Sequence, residues 1–579
     1  MASSTASAPA PAPASASAAL LRPLDGWPRP RWAAKWRALV WGAGRMRLGT
    51  LTEQLAEVYG ERPALLLEEP LAAPWHAGSR LAHADLARLS HAAARGLAAL
   101  GVAPGERVGL LTRNRVEVVC AEFGAARLGA VVVPLNALLT APELRTLAAD
   151  CALRTLVIDR ELYAETFGGS PRALPGVERW IVVGRGAPPP GTYALDELLA
   201  ASGPAPAPHP RRPDELAAIF YTSGTTGRPK GAMLPEGALL FAVRQQARQA
   251  GWLPSRRDDL ALLVMPLAHT SGHQALLLQL VMGTPMLLHA RFVAERVLEA
   301  IERHRVTQLS GVPAMFRMLL DAGAERVDLG SLDTLAWGGD AMPEEVRARF
   351  DALVRRTRRR PPRWVTGYGL AETAGQLTRA IGGPFGPGLA GRPLRGVRVR
   401  VLDADGRPVR RGQVGELWVR SPGQMLGYWR DEEATRGVLR DGWLRTGDLV
   451  RRGRSRRLWL ASRAKEMIKV GGYSVYPAEI EAVLRAHPDV EQAVVVGVPH
   501  AVKGSVPAAA VVARPGAARD EAALLAWARA RLAPYKAPRH VVFVEAIPLS
   551  SALKPQRARV AAELAARLSG AARSEPPSC

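Results

Sequence analysis

The sequence predicts an α/β protein. A large multi-lobed N-terminal domain has parallel sheets covered by helices plus a β-rich lobe, and a small α+β C-terminal domain follows. Three observations carry this reading. From about Leu48, short apolar strands alternate with amphipathic helices, the rhythm of βαβ units. Asp403–Gly415 and Glu416–Arg420 break that rhythm with a turn followed by a strand. After about Lys465 the texture changes again over about 100 residues, enough for a separate small domain. At 579 residues the chain is too long for a single core.

Taken in order, residues 1–28 are an Ala/Ser/Pro tail with no basic n-region and no clean apolar h-region, unlike a signal peptide. Residues 29–47 form a basic amphipathic segment. Trp32, Trp36, Leu39, Val40 and Ala43 share one helical face, and Arg31, Lys35, Arg37 and Arg45 lie on the other. Such a face suits either the protein's own body or, through Arg31–Arg47, peripheral contact with a membrane. The large domain is read as 48–464. Leu51–Tyr59 and Leu81–Leu100 are helices, Arg107–Leu111 and Ala130–Pro134 strands, and Glu117–Leu128 the helix between them. Leu153–Ile158, Arg179–Val183 and Leu216–Phe220 repeat the strand pattern, and Pro/Ala-rich Gly203–Asp214 is a linker. Leu260–Ala290 contains no Asp, Glu, Lys or Arg, but Pro266, His269, His273, Gln274, Gln279, Gly283 and Pro285 mark it as buried core and pocket wall, not a membrane span. In the C-terminal domain, read as 465–568, helices Tyr476–Leu484, Asp520–Leu532 and Ala558–Leu568 alternate with strands Gln492–Val498 and Val541–Val544. Residues 569–579 are a tail.

Composition narrows the partners. Lys+Arg number 77 against 53 Asp+Glu, for a net charge of +24, yet only seven of those residues are Lys. Arg has displaced Lys wherever either serves, so each remaining Lys poses the question of whether a flexible ammonium is needed there. Cys120, Cys151 and Cys579 are too few and scattered for a disulfide framework or a zinc site, and a reducing cytoplasm is the default compartment. The Arg runs at 355–363 and 451–457 lack interleaved aromatics, which argues against nucleic acid. A phosphate-bearing cofactor or an acidic carrier protein suits the charge better.

The strongest local signal is Tyr221-Thr-Ser-Gly-Thr-Thr-Gly-Arg-Pro-Lys-Gly231 after the strand Leu216–Phe220. Gly224, Gly227 and Gly231 let backbone N–H groups turn toward one point. Thr222, Ser223, Thr225 and Thr226 add hydroxyls, and Lys230 a mobile cation. Together they form an anion cradle suited to phosphates. It is not a P-loop of the G-x-x-x-x-G-K-[ST] kind, because Pro229 precedes the Lys and Gly231 follows it.

That loop resembles the signature of the adenylate-forming superfamily, and further segments resemble the family's motifs in the family's order. They are Trp337-Gly-Gly-Asp-Ala341, Gly367-Tyr-Gly-Leu-Ala-Glu-Thr373, Gly415-Glu-Leu, Gly427-Tyr-Trp429 and Gly442-Trp-Leu-Arg-Thr-Gly-Asp448. Arg463–Lys469, Gly471–Glu481, Tyr535-Lys-Ala-Pro538 and Lys554 follow. Five of the seven lysines lie inside these motifs; Lys35 and Lys503 do not.

The resemblance implies ATP, Mg²⁺ and CoA as cofactors and an acyl-CoA synthetase, close to fatty-acid–CoA ligases, as the enzyme. A carboxylate would react with ATP to give acyl-adenylate and pyrophosphate, and a thiol would then take the acyl group and release AMP. It implies that Lys554 bridges the attacking carboxylate and the α-phosphate, that Glu372 holds Mg²⁺, and that Lys230 lies at the phosphates. Tyr368 would stack on adenine near Gly338, Gly339 and Asp340, with Thr373 also among the cofactor residues. Asp448 would accept from the ribose hydroxyls, and Arg463 would donate to ribose or phosphate. It also implies that the small domain is mobile, turning at Lys465 so that either Lys554 or the Gly471–Gly472 loop faces the site.

The sequence departs from the family pattern in four places. Pro235-Glu236 replaces a Ser-His continuation, Ala371 replaces a Thr before Glu372, Ser462 precedes Arg463, and Leu553 stands where Gly is usual before the catalytic Lys. His269, Gly311, Trp337 and Gly367 are expected to line the acyl pocket, with His269 either a gate or a packed core residue. Ala268-His-Thr-Ser271 carries no Asp to pair with an ammonium, which argues against an α-amino acid. The expected reaction is acyl-CoA formation from a fatty or aryl acid. Loading of a carrier protein and a nucleotide-binding relative without catalysis are the alternatives.

Overall fold

The computed structural model describes residues 29–42, 46–222, 229–249, 258–358, 360–383, 385–386, 388–463, 466–470, 473–500, 504–550 and 553–572. The expected helices and strands recur within a residue or two of their predicted ends, except that the last helix, read as Ala558–Leu568, runs Arg557–Ala572. Leu51–Tyr59, Arg107–Leu111 and Arg179–Val183 match as read.

Among the described residues three sheets and one two-stranded ribbon, Gly369–Leu370 with Gly375–Gln376, organise the chain. One of eight strands runs in the order Gly427–Tyr428, Lys230–Pro235, Leu216–Thr222, Val131–Pro134, Arg107–Leu111, Thr155–Asp159, Arg179–Val183 and Tyr193–Ala194. Its pairings are parallel from Leu216–Thr222 onward, while Leu216–Thr222 and Lys230–Pro235 form an antiparallel pair (Thr222 opposite Lys230). The second sheet has fourteen strands. Its parallel centre (Met286–Leu288, Ala261–Leu263, Gln308–Gly311, Thr334–Trp337, Arg363–Thr366) passes at Thr378–Ile381 into antiparallel strands that include Trp443–Arg452 and Leu458–Arg463. The expected parallel sheets are present, and antiparallel strands, including those of the expected β-rich lobe, extend them. Short antiparallel links such as Leu216–Pro235 need no crossover helix and leave no 3.6-residue periodicity to read. A five-stranded C-terminal sheet, led by the antiparallel pair Val490–His500 and Gly504–Ala513, packs with helices Pro477–Arg485, Glu521–Arg531 and Arg557–Ala572 around its own core.

The N-terminal helix, Arg29–Trp41, settles against the body of the protein. Trp36 and Val40 are fully buried and Leu39 nearly so, each side chain contributing about 1.5–3 kcal/mol of burial. The Trp36 indole N–H donates to the Val281 carbonyl at 2.8 Å. Arg248 donates to the carbonyls of Val40 and Trp41, and Arg244 to that of Gly42, so basic side chains satisfy the carbonyls at the end of the helix. The apolar face that could have met a membrane is thus covered at these three residues. Trp41, half-exposed, carries Arg248 over its ring at 5.2 Å. The side chain of Trp32, and Ala43, lie outside the described residues. Glu236 has a structural use: its buried carboxylate accepts from the Leu48 amide at 2.6 Å. Among the described residues no helix is long and apolar enough to cross a membrane.

Candidate active site

A continuous cleft of about 3940 Å³ is lined by the two large sheets and by the C-terminal region. Its wall begins at the turn after strand Arg363–Thr366. A Cβ on Gly367 would lie 2.0 Å from Gln376 Nε2 and 2.2 Å from the Thr378 carbonyl, and one on Gly369 would lie 2.0 Å from the Gly375 carbonyl. Only glycine permits that fold-back. It fixes Tyr368, whose amide donates to Thr378 Oγ1 at 2.9 Å and whose hydroxyl donates to Asp448 Oδ2 at 2.5 Å.

Asp448 and Arg463 are direct cross-strand partners in the antiparallel pair Trp443–Arg452 and Leu458–Arg463, which sets Arg463 Nε 2.8 Å from Asp448 Oδ1. Burial raises the Asp448 carboxyl, and Arg463 and the Tyr368 hydroxyl pull it back. Burial works against the Arg463 charge, but Asp448 and neighbouring groups outweigh it and leave that guanidinium above its ordinary value. Burial, then Asp448, drives the Tyr368 phenol well above its own. Tyr368, Asp448 and Arg463 thus form one hydrogen-bonded unit on the cleft wall, with Tyr368 kept as a neutral donor.

A second group assembles around Glu372. Its Oε1 accepts from the Tyr428 hydroxyl at 2.8 Å, and Lys230 Nζ sits 5.2 Å from the centre of the Tyr428 ring. Tyr428 carried no role in the sequence reading, although Gly427-Tyr-Trp429 was visible as a motif. Thr373, expected among the cofactor residues, commits its hydroxyl to its own turn: it bonds the Leu370 and Gly375 carbonyls at 3.1 and 2.9 Å and accepts from the Leu370 amide. It therefore positions Glu372. Thr222 Oγ1 reaches the Lys230 carbonyl at 3.4 Å across the neck of the cradle. Ser223, Gly224, Thr225, Thr226 and Gly227 lie outside the described residues, as do Lys465, Gly471 and Gly472.

Lys554 enters the same cleft from the C-terminal region. Its Cε lies 3.6 Å and its Nζ 4.0 Å from where a Cβ on Gly339 would sit, so the lysine packs beside the Gly339 backbone, whose φ of +83° favours glycine. Gly338 has open space around it. The Lys554 side chain is accessible to solvent in the cleft yet closely surrounded by protein. That surrounding, then Arg463, lowers its pKa, while Asp340, Asp448 and Glu466 partly restore it. The preceding loop closes on itself: the Ser550 amide donates to the Lys554 carbonyl at 2.8 Å, and the Leu553 amide to the Ser550 carbonyl at 2.9 Å. Leu553 holds φ +55°, the left-handed conformation that glycine adopts freely. The departure at Leu553 thus keeps the backbone shape of a glycine at a cost of about 1–2 kcal/mol. We expect Leu553→Gly to leave the midpoint of urea unfolding unchanged or higher, whereas an ordinary exposed Leu→Gly exchange lowers stability by about 1 kcal/mol.

His269 lines the cleft, half-buried, with Asn136 Nδ2 3.2 Å from its Nε2. Burial and the nearby Lys554 lower its pKa, favouring the neutral ring. It is not a packed core histidine. Gly311 and Trp337 end adjacent parallel strands at the cleft, and Trp337 packs edge-on to Phe385 and Trp364 at 5.1 and 5.6 Å. Asn136 escaped the sequence reading, because nothing in the loop after Val131–Pro134 signals a partner for His269. Arg557 escaped it too: it lies 3.2 Å from Glu466 and 2.5 Å from Glu481, tying the helix after Lys554 to the segment after Lys465.

The chain was compared with known proteins. Residues 52–429 match the AMP-binding enzyme family, and residues 479–554 its C-terminal domain. The chain is 36% identical over 473 residues to an indoleacetate–CoA ligase of Aromatoleum aromaticum, covering 81% of this chain and 90% of that one. It is 37% identical over 485 residues to a feruloyl-CoA synthase of Amycolatopsis sp., covering 83% and 93%. The crystal structure of ATP-bound MatB from Rhodopseudomonas palustris superposes with a TM-score of 0.78 at 29% identity, covering 90% of this chain and 99% of that one.

Proposed function

The chain belongs to the AMP-binding enzyme family and is an AMP-forming acid–CoA ligase, and from that premise we propose that it activates a fatty or aryl acid. One carboxylate oxygen of the acid attacks the α-phosphorus of ATP, and the bond to pyrophosphate breaks. The CoA sulfur then attacks the acyl carbon and gives up its proton, and AMP leaves as the carbon–oxygen bond breaks.

The observation that carries the reading is the meeting of Lys554 with Gly339, Asp340, Asp448 and Arg463 in one cleft. In that meeting Lys554 offsets the negative charge gathered between two anionic reactants. Asp448 receives the ribose hydroxyls, Arg463 donates beside it, and Tyr368 presents its ring to adenine. Lys230 and the cradle Thr222–Gly227 hold the phosphates. Glu372 suits Mg²⁺: it is a carboxylate on the cleft wall, tied at one oxygen by Tyr428. A hard cation is characteristically held by one or two carboxylates plus substrate phosphates, and Mg²⁺ there neutralises phosphate charge. Residues 465–568 turn at Lys465 between steps and bring Gly471–Gly472 to the site for the thiol. His269, Gly311, Trp337 and Gly367 enclose the acyl group.

A panel of carboxylic acids scored by AMP release tests this. We expect release that needs acid, ATP and CoA together. Release supported by a holo-carrier protein but not by CoA would move the acceptor to that carrier, a partner the +24 charge also suits. Retained ATP binding with no acid-dependent exchange of pyrophosphate into ATP would overturn the reading in favour of a relative without catalysis.

A further inference from the structure

One buried side chain touches both Lys230 and Glu372. The Tyr428 hydroxyl donates to Glu372 Oε1 at 2.8 Å, and Lys230 Nζ sits 5.2 Å from the centre of the same ring. All three residues line the cleft. The backbone around Tyr428 is held from several directions. Gly427 and Tyr428 pair antiparallel with Met233 and Ala232, on the strand that Lys230 begins. The amides of Leu426 and Trp429 donate to the Met233 and Gly231 carbonyls, each at 2.8 Å. The Met425 amide donates to the Glu372 carbonyl, also at 2.8 Å, and the Trp429 indole N–H to the Asp150 carbonyl at 3.0 Å. Met425–Trp429 therefore fastens the turn that carries Glu372 to the strand that carries Lys230, and the Tyr428 ring lies at that junction.

Lys230 and Glu372 bear opposite charges and share one ring, yet no ion pair joins them among the described residues. An ammonium and a carboxylate that met on a cleft wall would pair, and each would be withheld from ligands of its own opposite charge. Tyr428 gives each a separate use. The ring face takes the ammonium, and the hydroxyl takes one carboxylate oxygen. A carboxylate has about four acceptor sites, so one such bond orients Glu372 without consuming Oε2. A phenylalanine there would lack the donor, and a serine would lack the ring.

We propose that Tyr428 is a positioning residue that keeps Lys230 and Glu372 apart and aims one oxygen of Glu372 at the Mg²⁺ of the ATP complex. The inference rests on the reading above that Glu372 holds Mg²⁺ and adds the side chain that orients it. A group that hydrogen-bonds a metal-binding carboxylate characteristically sets metal affinity by about 10–100-fold.

Calorimetric titration with ATP, in the presence and absence of Mg²⁺, tests this on the full-length enzyme, Tyr428→Phe and Tyr428→Leu. Tyr428→Phe keeps the ring and releases Glu372, so Mg²⁺-supported ATP binding should weaken about tenfold while metal-free ATP binds as in the native enzyme. Tyr428→Leu also removes the ring and lets Lys230 reach Glu372, so metal-free binding should weaken as well, by about threefold. Thioester formation from a supplied acyl-adenylate involves no pyrophosphate and should keep its native rate in Tyr428→Phe. Native Mg²⁺-supported affinity in Tyr428→Phe overturns the proposal. So does an equal loss with and without Mg²⁺, accompanied by slower thioester formation, which would reduce Tyr428 to a packing residue. Unchanged metal-free binding in Tyr428→Leu overturns the separation of Lys230 from Glu372. A native enzyme whose ATP binding is indifferent to Mg²⁺ overturns the reading of Glu372 itself, a distinct outcome.

Discussion

Lys554→Ala is expected to lower acid-dependent pyrophosphate–ATP exchange by about 10²–10³-fold, the scale seen when one donor to developing charge is removed. Thioester formation from a supplied acyl-adenylate should persist, because that step has no pair of anions for the lysine to bridge. Equal loss of both half-reactions would sink the assignment of Lys554 to the first. A pH profile gives an independent check. The lysine is held below the ordinary value of 10.5 by its close surroundings and by Arg463, so it loses its proton sooner than a free lysine as pH rises. The adenylation rate should fall on the alkaline side below the pH expected for an ordinary lysine. The stability contribution has the opposite sign. A lysine with a lowered folded-state pKa binds fewer protons folded than unfolded, so its contribution to stability rises with pH across the same window. Activity lost there is therefore not unfolding, and circular dichroism over the same range checks that.

Asp448→Ala is expected to raise the KM for ATP by about 100-fold. A carboxylate accepting from two ribose hydroxyls makes charge-assisted bonds of about 1.5–3 kcal/mol each, and 1.4 kcal/mol is tenfold in affinity. The same change strips Arg463 of its 2.8 Å partner and leaves the buried Tyr368 hydroxyl without its acceptor. Asp448→Asn separates these effects: it keeps an acceptor for Tyr368 but loses the charge, so stability should return while ATP affinity recovers only in part. ATP binding by Asp448→Ala at the native affinity, measured by calorimetry, removes Asp448 from the nucleotide site.

The candidate site residues were named in the sequence through motifs that resemble the family's, and the fold brings Tyr368, Asp448, Arg463 and Lys554 to one cleft. Asp448 and Arg463 lie 15 positions apart, and an antiparallel pair places them face to face. What sequence could not supply was the allocation of each polar atom. Thr373 is adjacent to Glu372 and equally polar, yet its hydroxyl is consumed within its own turn. Tyr428 reads as one aromatic in a Gly-Tyr-Trp run until the fold brings its hydroxyl to Glu372, 56 positions away. The N-terminal helix posed the same difficulty, since an amphipathic face declares that it will be covered but not by what. The β-rich lobe was legible at Glu416–Arg420, but how its antiparallel strands join the parallel sheet was not, because short strands carry no helical period between them.

Glu236 gives the departure from the family's Ser-His continuation a further meaning. Its helix, Glu236–Gln249, follows directly on strand Lys230–Pro235, and its carboxylate receives the Leu48 amide. Arg244 and Arg248 of the same helix hold the carbonyls that end Arg29–Trp41. Peeling away the first helix would therefore leave the Arg244 and Arg248 guanidinium groups without these carbonyls and take the indole of Trp36 into water. The two helices thus support each other, and hydrogen exchange in Glu236–Gln249 is expected to speed up when Arg29–Trp41 is removed.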